Sequence, residues 1–392
     1  MAARYERQVT YIGETTWRSE HKRFGIRLAD RRSHTYIIGK TGTGKSTLLK
    51  TLILQDFENR HGLALLDPHG DLTAELKTLL PAHRALDLID FDVPGNWKEL
   101  SFNPLVGVDQ ENRALATSNL LEVFKKIWGA FWGPRLEHVL RNSLITLLYQ
   151  PKANLGDVLR LLVDNTYRKN AVSRVPFDRV RSFWKTEFEA FPSRMKAEVI
   201  APIQNKVGAF LTNPILEHIL TQDTSMFDLR EVMDSGKILL VNLSKGRLGE
   251  DVSHLLGALI VSMINSTAMG RADIQEDKRK DFFLFADEFQ NFTTSALAGM
   301  LSELRKYRVG LILAHQFISQ LDRDIRDAIF GNVGTMICFR VGAVDAPLLE
   351  KEFLPIIQRH DLMNLKNYHV YVRLMIGGEV SIPFSAKTIR MS

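Results

Sequence analysis

Eight consecutive residues, Gly39-Lys40-Thr41-Gly42-Thr43-Gly44-Lys45-Ser46, follow the spacing G-x-x-x-x-G-K-[ST], that of a phosphate-cradling loop. Glycines let successive backbone N–H groups close around phosphate oxygens, and a helix beginning at the loop adds its dipole. Thr41, Gly42, Thr43, Gly44, Lys45, Ser46 and Thr47 are the candidate phosphate contacts. Lys45 is spaced to reach the β- and γ-phosphates, and the Ser46 hydroxyl to ligate Mg²⁺.

A second set of groups completes that chemistry. The apolar run Phe282-Phe283-Leu284-Phe285-Ala286 ends in Asp287-Glu288. A strand of this kind delivers its first acid, Asp287, to a magnesium shell. Glu288 is then placed to orient and polarise an attacking water. Leu311-Ile312-Leu313-Ala314 ends in His315-Gln316, and Gln316 can bond both a water and a γ-phosphate oxygen. Arg305, in Leu304-Arg305-Lys306-Tyr307-Arg308, is the first candidate for a cation supplied to a neighbouring subunit's phosphoryl group. Arg308 is the second candidate and Arg340 the third. Capping of a helix C-terminus explains such a cluster equally well. Asp67 ends another apolar run and is a candidate for ordering the phosphate loop or magnesium waters, whereas His69 reads as a turn residue. No Cys/His group has zinc spacing, and no Ser-His-Asp arrangement stands out.

The elements that must carry these groups follow an alternating pattern. Residues 35–38 read as a buried strand and 47–54 as a helix; 62–67 read as a parallel strand and 85–90 as another. From about 110 to 233 apolar residues recur at helical spacing, as in Leu136, Val139, Leu140, Leu144 and Leu147. Pro134, Pro151, Pro176, Pro192, Pro202 and Pro214 mark helix boundaries there. Strand–helix alternation resumes with strands at 237–242, 282–287, 309–315 and 335–341 and helices at 254–269, 295–307 and 323–330. Residues 368–375 and 379–384 around Gly377-Gly378 read as a β-hairpin. This order predicts an α/β fold with a mostly parallel sheet and an inserted all-helical subdomain. The division is a short basic segment at 1–34, a nucleotide-binding domain at 35–109 and 234–392, and the helical insertion at 110–233.

Composition narrows the class. The 392 residues are 45% hydrophobic and 24% charged, with net charge +6, ordinary for a globular protein with a weak leaning toward a polyanionic partner. The excess concentrates at 160–210, where ten Lys/Arg face five acids; a solvated helical surface and a nucleic-acid contact both fit it. One cysteine, Cys338, excludes an internal disulfide and reads as a buried thiol in a reducing cytoplasm. The apolar stretch 255–269 is interrupted by Ser262, Asn265 and Ser266 and reads as too short and polar to span a bilayer. Met1-Ala2-Ala3-Arg4-Tyr5-Glu6-Arg7 has no apolar leader core.

Gly39 to Ser46, Asp67-Pro68-His69-Gly70-Asp71, Asn103-Pro104-Leu105, Asp287-Glu288-Phe289-Gln290, Leu304-Arg305-Lys306-Tyr307 and Gly331-Asn332-Val333-Gly334-Thr335 occur in this order. Together the set resembles the HerA/FtsK-type P-loop ATPases, and particularly the TraG/TraD-like coupling proteins of type IV secretion and conjugation, over roughly residues 30–385. The resemblance implies a RecA-like core using ATP and Mg²⁺, a hexameric ring, and ATP-driven translocation of DNA. It implies that Glu288 activates water, that Gln316 senses the γ-phosphate, and that Arg305 acts from the adjacent subunit. It associates the helical insertion, with its basic segment, with substrate recognition. Anchored coupling proteins carry N-terminal membrane helices and HerA-type enzymes an N-terminal barrel, so the sequence reads as a soluble or truncated relative. The expected place is the cytoplasm, at the periphery of a membrane secretion complex if one is the partner. Two other functions use the same chemistry: a secretion or pilus-assembly ATPase acting on protein, and an ATPase module gating an effector such as a nuclease.

Overall fold

The computed structural model describes residues 6, 8–16, 21–129 and 132–391; of the N-terminal run read above for a leader, all but Glu6 lies outside them. Among the described residues thirteen strands form: β1 (Val9–Thr15), β2 (Arg23–Arg27), β3 (Thr35–Ile38), β4 (Gly62–Asp67), β5 (Leu88–Asp92), β6 (Ile238–Asn242), β7 (Phe282–Ala286), β8 (Val309–His315), β9 (Thr335–Cys338), β10 (His369–Arg373), β11 (Met375–Ile376), β12 (Glu379–Val380) and β13 (Phe384–Thr388). Eleven join one sheet in the order β2-β1-β13-β10-β9-β3-β8-β7-β4-β6-β5. From β9 to β6 all pairings are parallel. Strands β3, β4, β6, β7 and β8 are buried along their whole length, as continuous apolar runs require when both sheet faces are covered.

The other half of the sheet is antiparallel. Strand β10 pairs with β9 and β13, and β13 with β1, which also pairs with β2. The expected C-terminal hairpin is thus two nested ribbons. An outer pair, β10 and β13, extends the main sheet; β11 and β12 form a separate two-stranded tip. Residues 1–34, set apart in the sequence division, contribute β1 and β2 to this sheet. Strand β9 stops at Cys338, short of the expected 341, although Phe339 N–H still donates to Ile38 O at 2.8 Å.

The chain divides into two compact units, one of Met1–Phe91, Arg230–Ser244 and Arg271–Ser392, the other of Asp92–Leu229 and Lys245–Gly270. The second is built of helices. Pro134 and Pro214 open theirs at the first turn, where a missing N–H costs nothing. Pro202 does not mark a boundary: it lies inside the helix Ser193–Leu211, so that helix runs through at the cost of one backbone hydrogen bond.

The helix Glu250–Gly270 groups with this second unit, not with the nucleotide-binding domain as the sequence division had it. With the three residues that follow, it is long and apolar enough to cross a membrane by length and composition, at mean hydropathy 1.4. The sequence reading had judged that stretch too short because it began five residues late. The helix is 83% buried over its most apolar window, as a core helix is. Its Ser266 accepts a hydrogen bond from Asn119 Nδ2 at 2.8 Å.

Much of the basic surface at 160–210 is already paired. Arg168 and Lys196 bind Glu189, Arg194 binds Glu198, and Arg181 binds Asp178.

In the first unit a buried charge cluster ties β1, the helix after the phosphate loop and the segment before β3 together. Arg31 donates to both oxygens of Asp56, at 2.5 and 2.8 Å, and His61 lies 2.8 Å from the same carboxylate. Arg31 also donates to Thr10 Oγ1. Burial pushes the Asp56 pKa up, but the Arg31 cation and the bonds from Arg31 and His61 outweigh it and hold it below its ordinary value. A carboxylate held low stabilises the fold above its unfolded pKa, and that contribution is lost as pH falls through the folded value. Asp56→Ala strands the buried guanidinium and is expected to cost about 3–5 kcal/mol. Denaturant melts should show the difference from the unsubstituted chain narrowing as pH drops below about 4.

Candidate active site

The phosphate loop follows β3 at the carboxyl end of the sheet, where ligands bind in open α/β folds. It leads into the helix Lys45–Glu58, whose first turn supplies unpaired N–H groups. Two glycines are there for space. A Cβ on Gly39 would lie 2.5 Å from Phe339 Cβ. Gly44 has φ +121, and a Cβ on it would lie 2.7 Å from the Tyr368 ring. Thr43 Oγ1 braces the loop by donating to Lys40 O at 2.7 Å.

The loop, β7 and β8 bring their polar ends into one cleft of about 330 Å³. Thr41, Gly42, Gly44, Lys45, Ser46, Thr47, Asp287, Glu288 and Gln316 all line it. Lys45 is buried, its ammonium donating to Gly39 O at 2.6 Å. Burial draws its pKa down, against the pull of Glu288 and Asp287. Ser46 Oγ donates to Asp287 Oδ2 at 3.2 Å. Burial and the neighbouring charges of Glu288 and Asp67 push the Asp287 pKa up. A hydroxyl beside a crowded carboxylate is a hard-oxygen donor set. No group of three His, Cys, Asp or Glu among the described residues could hold a metal alone. Two protein ligands completed by phosphate oxygens suit Mg²⁺, which rarely takes an all-protein cage.

Glu288 is buried and adopts φ 46, ψ 50, the left-handed region that non-glycine residues seldom occupy. Both its oxygens are engaged: Gln290 Nε2 donates to Oε2 at 2.8 Å and Gln316 Nε2 to Oε1. Gln316 in turn accepts from Thr41 Oγ1 at 2.9 Å. One chain of bonds therefore runs from the loop through Gln316 to Glu288. His315, adjacent to Gln316, is excluded from the cleft. It is buried in the sheet, 3.1 Å from the Tyr36 hydroxyl, and burial with the nearby Lys45 charge lowers its pKa to about 3.

Asp67 orders a different turn from the one expected. It accepts from His69 N–H and Thr73 N–H, both at 2.9 Å, and so holds residues 68–73 and the start of the helix Asp71–Thr78. The exposed His69 lines the cleft.

The three arginines separate clearly. Arg308 bonds Arg279 O and pairs with Glu6. Arg340 donates to Leu365 O and Asn367 Oδ1, and its carbonyl accepts from Lys40 N–H. Both hold the fold. Arg305 is exposed, in a 3₁₀ turn leading into the amino end of β8, at the end of the strands opposite Gln316 and Asp287. The helix Ala296–Glu303 before its turn and the strand β8 after it are fastened to His34, beside the start of β3. The His34 Nε2–H donates to Leu301 O at 3.1 Å and Nδ1 accepts from Leu311 N–H at 3.0 Å, the neutral tautomer. Burial, with Arg305 beside it, lowers the His34 pKa to about 4.

Sequence reasoning missed Tyr368, which reaches the cleft from the antiparallel half of the sheet, 324 residues after Gly44. It carries no local motif; only the C-terminal hairpin hinted that a chain segment returns nearby.

The family model described as "Helicase HerA, central domain" matches residues 10–267, more than half of the chain. No curated protein matches it by sequence. Among solved structures, the plasmid coupling protein TrwB with a non-hydrolysable GTP analogue superposes with TM-score 0.69 at 14% identity, covering all of this chain and 92% of that one. TrwB with ADP and Mg²⁺ gives 0.66 at 15% identity, with 93% and 87% covered. VirB4 of Thermoanaerobacter pseudethanolicus gives 0.68 at 13% identity, with 98% and 97% covered. At these identities the structural likeness establishes the fold, a P-loop core of the RecA-like kind. The chain belongs to the family of the HerA helicase central domain.

Proposed function

We propose that this chain hydrolyses ATP with Mg²⁺ at the interface between subunits of a hexameric ring and uses the energy to move DNA. The observation that carries the reading is an incomplete site. The cleft holds a phosphate loop, a magnesium acid and a bonded Glu288–Gln316 pair, yet among the described residues no arginine lines it. Arg305, exposed at the opposite, amino-terminal end of the same strands, can complete that site only in another copy, which is the geometry of a head-to-tail ring.

Lys45 and the loop N–H groups bind the phosphates, and Ser46 with Asp287 hold the cation, which neutralises charge on the transferring group. Glu288 takes a proton from water. Gln316, bonded to both Glu288 and Thr41, reports whether the γ-phosphate is present. Apolar residues support the docking. Ile376, Val380 and Ile382, at 49%, 49% and 73% exposure, lie on the β11–β12 tip at the Arg305 end of the strands. Phe317 and Val344 are exposed at the cleft edge.

Membership of a helicase family supports DNA as the substrate, as TrwB's description as a plasmid coupling protein supports a conjugative setting. The buried free Cys338 fits a reducing cytoplasm. ATP hydrolysis measured with single-stranded or double-stranded DNA tests the reading. DNA should raise turnover, and the stimulation should fade steeply with salt because phosphate contacts dominate. Turnover indifferent to DNA would move the assignment to a protein-handling secretion ATPase or to a module gated by a partner such as a nuclease.

A further inference from the structure

The nucleotide cleft has two chemically distinct ends. One holds Ser46, Asp287, Glu288 and Gln316, the groups suited to the γ-phosphate, its cation and water. The α-phosphate, ribose and base must leave toward the other, bounded by Gly44, Thr47 and Tyr368. Tyr368 is held there under constraint. Its φ is 65, a conformation an aromatic residue rarely takes. Two backbone bonds impose it: Tyr368 N–H donates to Thr43 O at 2.8 Å, and Tyr368 O accepts from Thr388 N–H at 2.9 Å. The first ties the tyrosine to the phosphate loop itself. The guanidinium of Arg390 lies 3.8 Å from the ring centroid. An exposed arginine stacked on a half-buried ring presents a flat, cationic surface beside the cleft.

We propose that Tyr368 and Arg390 form the base-binding end of the site, on which a purine stacks. This rests on the reading of the cleft as a nucleoside triphosphate site. Stacking reads the face of a base and not its edge, so the platform accepts adenine and guanine alike. It also couples the base to the loop, because the residue that meets the base bonds Thr43.

Binding of ATP and of inorganic tripolyphosphate, which lacks base and ribose, to the full chain with Mg²⁺ separates the possibilities by calorimetry. Tyr368→Ala should weaken ATP about tenfold, the loss of one stacked base, and leave tripolyphosphate unchanged; Tyr368→Phe should bind both normally. Arg390→Gln, at an exposed position, should weaken ATP alone, and keeps the test decisive if Tyr368→Ala does not fold. Equal weakening of both ligands would overturn the proposal and make Tyr368 a buttress of the loop. ATP binding unaffected by Tyr368→Ala or Arg390→Gln would also overturn it. Failure of the nucleotide reading would look different: Lys45→Ala would leave ATP binding untouched.

Discussion

Glu288→Gln should lower ATP turnover by about 10²–10⁴-fold, the span for loss of a general base, while ATP and Mg²⁺ still bind. The size follows from the local structure. Glu288 is buried, sits in a strained backbone conformation and accepts from two amides, those of Gln290 and Gln316. Glutamine keeps the shape but cannot take a proton, and it offers one acceptor oxygen where two donors converge. The groups proposed to bind the nucleotide, Lys45, Ser46 and the loop amides, are untouched. Single-turnover phosphate release alongside calorimetric ATP binding would separate the two effects. Asp287→Asn is the useful contrast: it should act on the Mg²⁺ dependence, because Asp287 and Ser46 are the proposed protein ligands of the cation. Turnover of the Gln variant within a few-fold of the unsubstituted chain would remove Glu288 from the proton transfer.

Arg305→Ala should reduce turnover by about 10³–10⁵-fold, the worth of an arginine finger, without loss of nucleotide affinity or fold. Arg305 is exposed, and such surface changes are usually within about 0.5 kcal/mol of neutral. The mixed assembly is the decisive measurement. Arg305→Ala and Glu288→Gln chains should each be inactive alone. In mixed rings some interfaces pair an intact Glu288 with an intact Arg305, and turnover should return in part. An arginine acting within its own chain gives no such rescue. Arg308→Ala should instead lower the melting temperature, because it removes a cation bonded to Glu6 and Arg279 O. If Arg308→Ala abolished turnover with stability intact, the two arginines would have to exchange roles.

The candidate residues that share one cleft were legible in the sequence where they are contiguous. A phosphate loop works through consecutive backbone amides, and Asp287-Glu288, the proposed magnesium acid and base, end an apolar strand, so both segments advertise themselves. Gln316 was legible for the same reason, as the residue after a buried strand. The alternation of apolar runs also fixed the parallel half of the sheet, β9 to β6, because strands covered on both faces have no polar side to disguise them. Errors arose where one residue fits two local roles. Pro202 read as a helix end because proline usually is one; Asp67, read as ordering the phosphate loop or magnesium waters, accepts instead from the amides of its own turn.

Amino-acid order alone was enough for the phosphate loop, the acid pair and the α/β class, since each depends on neighbours within a few residues. Long-range contact decided the rest. Three arginines were candidates in the chain, ranked Arg305, Arg308, Arg340; the structure separates them because Glu6, Leu365 and Asn367 come to meet the latter two. Tyr368 reaches the cleft, with Arg390 stacked on its ring, only because β10 and β13 pair antiparallel beside β9. Such placements depend on sheet register and on which partners folding brings within hydrogen-bonding distance. No spacing along the chain encodes them locally.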